Sequence, residues 1–74
     1  MIDTIAGLKD WVNDEKRNET HLYVSGYCVW FYHSGCAVYK GEAVHRDALI
    51  CTFMSFYEEE MYAALAAILR LSDS

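Results

Sequence analysis

Two Ser-Gly pairs, Ser25-Gly26 and Ser34-Gly35, interrupt an otherwise β-branched and aromatic run that extends from His21 to Tyr39. Serine followed by glycine suits a tight two-residue hairpin, because glycine accepts the positive φ that such turns require. The three segments so divided, His21–Val24, Tyr27–Tyr32 and Cys36–Tyr39, are rich in the residues that fit a pleated sheet. They predict a three-stranded antiparallel meander. Pairing through these turns sets Val24 opposite Tyr27, Leu22 opposite Val29 and His21 opposite Trp30. In the second hairpin it sets His33 opposite Cys36, Phe31 opposite Val38 and Trp30 opposite Tyr39. Alternation then gives the sheet two sides. One carries Leu22, Val24, Val29, Phe31 and Val38, an ordinary core face. The other carries His21, Tyr23, Cys28, Trp30, Tyr32 and Tyr39, with four large aromatics among six side chains.

The flanks read as helices. Ile2, Ile5, Leu8, Trp11 and Val12 recur at three- and four-residue spacing and lie along one side of a helix, for which Asp3 is the expected N-cap. The helix should fade in the polar stretch from Asn13 to Glu19. After Gly41, Ile50, Met54, Tyr57, Met61, Ala64, Ile68 and Leu71 follow steps of four and three, with Leu49, Phe53 and Phe56 beside them. Unbroken from residue 45 to 71, such a helix would be about 40 Å long at 1.5 Å per residue, too long for a small sheet to cover. Either it breaks near Ser55, where Ser55-Phe56-Tyr57-Glu58 has the form of a capping box, or its seven-residue repeat forms the seam of a homodimer through the 50–71 helix. The expected fold is therefore α+β, in two layers: an N-terminal helix, a three-stranded β-meander and a C-terminal long or kinked helix, in one domain spanning 1–74.

A chain of 74 residues that is 54% hydrophobic carries more apolar surface than a domain this small readily hides, which favours an oligomer or a partner-binding surface. The net charge of −5 argues against direct nucleic-acid binding, which needs clustered Lys and Arg to displace counterions. It suits docking on a basic protein surface. Three cysteines, Cys28, Cys36 and Cys51, cannot all pair within one chain. The start of the chain has no basic n-region followed by a long apolar run, and the most apolar stretch, 62–71, is too short to span a bilayer. These features lead to the expectation of a cytoplasmic protein with reduced thiols and no membrane role.

Candidate chemistry is sparse. His33 and Cys36 flank the second turn and would point to one side, within reach of one metal ion. His21 and Cys28 fall on the opposite face, and His45 and Cys51 would lie on different sides of a helix, so the four ligands of a closed zinc site do not assemble. No metal or cofactor is expected. A Cys36–His33 nucleophile pair lacks an orienting third group. No phosphate loop or hydrolase motif is present. Consecutive Glu58, Glu59 and Glu60 would fan out around a helix.

The reading is a small, acidic, non-catalytic protein-binding module, an inhibitor or adaptor that occupies a site on a larger protein. Its expected anchors are Tyr23, Trp30, Tyr32 and Tyr39, with Glu58, Glu59 and Glu60 steering the encounter. The aromatics could instead stack nucleobases, but only Lys40 is expected near that face. The alternative is a self-associating structural subunit, and the third reading is a metal or thiol protein centred on His33 and Cys36. The order helix, three strands, helix is shared with double-stranded-RNA-binding domains. Those open their last helix with a basic run where this chain has Val44-His45-Arg46-Asp47. In layout, size and acidity the chain resembles some phage-encoded inhibitors of host defence, including certain anti-CRISPR proteins; the likeness is one of class and rests on no motif.

Overall fold

Apolar side chains at three- and four-residue spacing fold the N-terminal segment into α1, Ile5–Val12. The structure, a computed structural model, describes residues 2–73. Thr4, not Asp3, caps this helix: its hydroxyl accepts from the Gly7 amide at 2.9 Å. Asp3 is otherwise engaged, its carbonyl accepting from the Ser72 amide at 2.9 Å, while the Ile5 amide donates to the Ser72 carbonyl at 3.0 Å. A parallel bridge between Thr4 and Ser72 thus clasps the two ends of the fold together. Leu8 is fully buried, and Trp11 tilts against Phe31 with ring centroids 5.5 Å apart. The Arg17 guanidinium lies over the Trp11 ring, 4.2 Å from its centroid, and donates to the carbonyls of Val12 and Glu19, closing the polar stretch after the helix.

The sheet has four strands, not three. β1 (His21–Val24), β2 (Tyr27–Tyr32), β3 (Gly35–Lys40) and β4 (Leu49–Met54) form an antiparallel meander in the order β1-β2-β3-β4. Ser25 and Gly26 both have positive φ, 55° and 81°, and the first hairpin pairs as expected from the sequence. The second hairpin is two residues off the expected register. Its turn is His33-Ser34, Tyr32 faces Gly35, Phe31 faces Cys36 and Trp30 faces Ala37. The cause is β4. A Cβ on Gly35 would fall 1.8 Å from the Phe53 carbonyl oxygen, so the glycine serves the close approach of the fourth strand and not the turn. Because the slip is even, every side chain keeps its expected face.

Residues 45–54 therefore do not form the expected α-helix. Leu49-Ile50-Cys51-Thr52-Phe53-Met54 fits strand and helix equally by pattern, and the free edge of β3 decides the matter by offering a ladder of backbone partners. A bulge at Val38/Tyr39 accommodates Ile50. The chain does turn helical after Ser55, but no capping box forms. Ser55 is occupied as a rung of the ladder, its amide donating to the Ser34 carbonyl at 2.9 Å, and a 3-10 turn over Ser55–Tyr57 leads into α2, Glu58–Leu69. α2 starts without a side-chain cap, and Glu58, Glu59 and Glu60 in its first turn complement the helix dipole. At twelve residues it is about 18 Å long, which the sheet can cover.

Both helices lie on one side of the sheet. Leu8, Met61, Tyr62, Leu65 and Leu69 meet Leu22, Val29, Phe31, Cys36 and Val38 in the main core. The buried stripe of α2 is Met61, Tyr62, Leu65, Ala66 and Leu69. The expected dimer seam is thereby dismantled: Ile50 and Met54 stand on a strand and Met61 is internal. No helix among the described residues is long and apolar enough to cross a membrane.

Candidate binding face

The side of the sheet turned away from both helices is set by strand alternation. It carries His21 and Tyr23 from β1, Cys28, Trp30 and Tyr32 from β2, Ala37 and Tyr39 from β3, and Leu49, Thr52 and Met54 from β4. Small buried residues, Cys28 and Ala37, make its floor together with buried Tyr39, and Ala48 packs against them. Tyr23, Trp30, Tyr32 and Met54 stand above that floor and are exposed, Tyr23 and Met54 by more than half. The His21 and Trp30 rings stack as a cross-strand pair, 6.0 Å apart and 7° from parallel. Tyr32 tilts against Trp30 at 5.1 Å. The three rings hold one another's rotamers, so the ridge is preorganised before anything touches it.

This face has no Asp, Glu, Lys or Arg among its strand positions. Lys40, expected near it, pairs with Tyr27 and belongs to the opposite side. Of the expected anchors, Tyr23, Trp30 and Tyr32 come together as an exposed group. Tyr39 shares the face but is only 8% exposed and contributes to the floor. Glu58, Glu59 and Glu60 are exposed at the start of α2, away from the strands, where they border a shallow depression with Phe56 and Tyr57. Sequence reasoning missed Thr52, Met54 and Leu49 because it placed them on a helix. The signal available was the β-forming character of Ile50, Thr52 and Phe53 in a six-residue run.

His33 and Cys36 do not converge: His33 is in the turn, while Cys36 faces the helices between Phe31 and Phe53 and is fully buried. Burial, and then the nearby Cys51 thiol, pushes the Cys36 pKa up to about 12, which keeps it protonated and a poor nucleophile. His45 caps a 3-10 turn over Arg46–Ala48 and Cys51 sits on β4, in place of the helix expected for both. Among the described residues, no group of three or more His, Cys, Asp or Glu side chains could hold a metal ion. What this face can do is stack, exclude water and make van der Waals contact. Comparison with protein-family models, with curated proteins and with solved structures found no match to this chain.

Proposed function

We propose that this chain is a non-catalytic protein-binding module that presents its uncovered sheet face to a larger protein, as an inhibitor or adaptor working in the cytoplasm with its thiols reduced. The observation that carries the reading is the aromatic ridge of His21, Trp30 and Tyr32, with Tyr23 and Met54 beside it, on the side of the sheet that neither helix covers. Rigid aromatic side chains supply contact area at low entropic cost and dominate binding energy at protein interfaces. A face without Lys or Arg has nothing to neutralise phosphates, which weighs against stacked nucleobases as its ligand. The net charge of −5 lies elsewhere on the surface, with Glu58, Glu59 and Glu60 as one concentration, and favours encounter with a basic partner.

The test compares wild type with Trp30→Ala as immobilised bait, with bound protein quantified and folding monitored by thermal melting. Trp30 is 36% exposed and rests on other surface rings, so the variant is expected to stay folded while its specific partner is depleted by roughly tenfold or more. Unchanged capture by a folded Trp30→Ala protein would remove the ridge from the binding surface. Unfolding of the variant would make Trp30 a structural residue, and Tyr23→Ala, more exposed still, then decides the assignment.

A further inference from the structure

The apolar exposure of this molecule is concentrated at one edge. Of the nine exposed large hydrophobic side chains among the described residues, six (Val44, Leu49, Ile50, Met54, Phe56 and Tyr57) lie within or just beside β4. β4 is the terminal strand of the sheet and, among the described residues, pairs only with β3. Its backbone orientation follows from the Ser55 amide, which donates inward to Ser34. Strand alternation then turns Phe53 and Cys51 inward as well, and directs the N–H and C=O of Thr52 and Met54 outward from the edge. Edge strands are normally blunted by charge, proline or short length. β4 has six residues with no charge, proline or glycine, and its bulge at Ile50 leaves Cys51–Met54 regular. The other edge, β1, has four residues and follows a charged stretch.

We infer that β4 pairs with β4 of a second copy of this chain, antiparallel about a two-fold axis near Thr52, giving a continuous eight-stranded sheet. The strand is uncharged but its ends differ: Arg46 and Asp47 precede it, the Asp47 amide donating to His45 Nδ1 at 3.2 Å, and three acidic residues, Glu58, Glu59 and Glu60, follow it. Antiparallel pairing brings Arg46 of each copy toward the glutamates of the other, on both sides of the axis. Parallel pairing would instead set the two glutamate clusters side by side. The edge is thus self-complementary in the isologous sense required of a two-fold dimer. Rotation about an axis normal to the sheet keeps all four helices on one side and joins the two aromatic faces on the other. This assembly uses the strand edge, not the aromatic face, and stands independently of the function proposed above.

Sedimentation velocity of the full chain over a concentration series tests it. Wild type is expected to shift from 8.5 kDa to twice that mass with rising concentration. Thr52→Lys, whose side chain is exposed, sets two like charges together at the axis and is expected to weaken dimerisation roughly a hundredfold with an unchanged circular dichroism spectrum. Thr52→Pro removes an amide that points outward and is expected to act in the same direction; either variant suffices if the other misfolds. Arg46→Glu is expected to weaken the dimer, and Glu58→Lys with Glu59→Lys added to it to restore affinity. A wild type that stays monomeric at millimolar concentration overturns the inference, as does a dimer that both Thr52 variants leave intact. A dimer lost in Trp30→Ala and kept in Thr52→Lys would assign self-association to the aromatic face instead. If the edge pairing and the binding face both hold, Arg46→Glu, which lies off the aromatic face, weakens only the dimer and Trp30→Ala loses only the partner.

Discussion

Gly35→Ala is the substitution that most directly tests the four-stranded sheet. An added Cβ would lie 1.8 Å from the Phe53 carbonyl oxygen, 2.9 Å from its carbonyl carbon and 3.0 Å from the Met54 Cα. All three are backbone atoms, so no side-chain rotation relieves the clash. β4 must withdraw by roughly 1.5 Å to reach ordinary contact, enough to break a hydrogen bond near 2.9 Å. The rungs beside Gly35, at Ser34–Ser55 and Cys36–Phe53, are the ones at risk. Two or three lost backbone hydrogen bonds at about 1 kcal/mol each, with part of the burial of Phe53, give a destabilisation of about 2–4 kcal/mol. A 74-residue domain has about 4–11 kcal/mol in total, so the effect is a large part of its stability. Urea denaturation followed by tryptophan fluorescence measures it, and amide exchange locates it: protection should fall first in Cys51 and Phe53. Gly26→Ala is the control. It meets no atom within 4 Å and carries only the strain of φ +81°, about 1 kcal/mol. If Gly35→Ala cost no more than Gly26→Ala, Gly35 would be a turn residue and the close approach of β4 would be wrong.

Thr4→Ala is expected to lose about 1 kcal/mol by removing the α1 cap, and Asp3→Ala distinctly less because only the Asp3 backbone is engaged; chemical denaturation of both variants checks the assignment. Stability should also fall in alkali. Cys36 titrates near 9 when unfolded and at about 12 when folded, so its full contribution is present below pH 9. Between the two values the unfolded chain holds fewer protons, and stability drops by about 1.4 kcal/mol per pH unit from this thiol. Burial raises Cys28, Cys51 and Tyr62 in the same direction. Melting temperatures between pH 8 and 11 should therefore decline less steeply in Cys36→Ala, compared from its own pH 8 value, than in wild type.

How far the sequence discloses this fold depends on how local the deciding interaction is. α1 is legible because its spacing is helical and a polar stretch ends it. The first hairpin is legible because Ser25 and Gly26 together satisfy a local turn geometry. In the second hairpin an identical dipeptide has a different duty, set by Phe53, a residue far along the chain. The slip was even, so the composition of the aromatic face survived it, although the burial of Tyr39 did not follow from alternation alone. β4 was hidden by coincidence: Ile50 and Met54 continue the helical spacing of Tyr57 and Met61, and only the open edge of β3 breaks the tie. The helix-facing role of one side and the exposure of the other likewise depended on where α2 lands, which no short stretch of residues encodes.

The clasp between Thr4 and Ser72 has a consequence for the order of assembly. Each strand pairs with its neighbour in the chain, across connections of two residues at the first two turns and eight at the third. Those closures cost little entropy and can proceed in any order. The clasp instead joins residues separated by nearly the whole chain, and its partner segment lies just beyond α2. It becomes favourable once the meander and α2 have shortened the distance between the ends. Loop-closure entropy alone thus predicts that the clasp is among the last contacts to form, so that the start of α1 is secured late although it comes first in sequence.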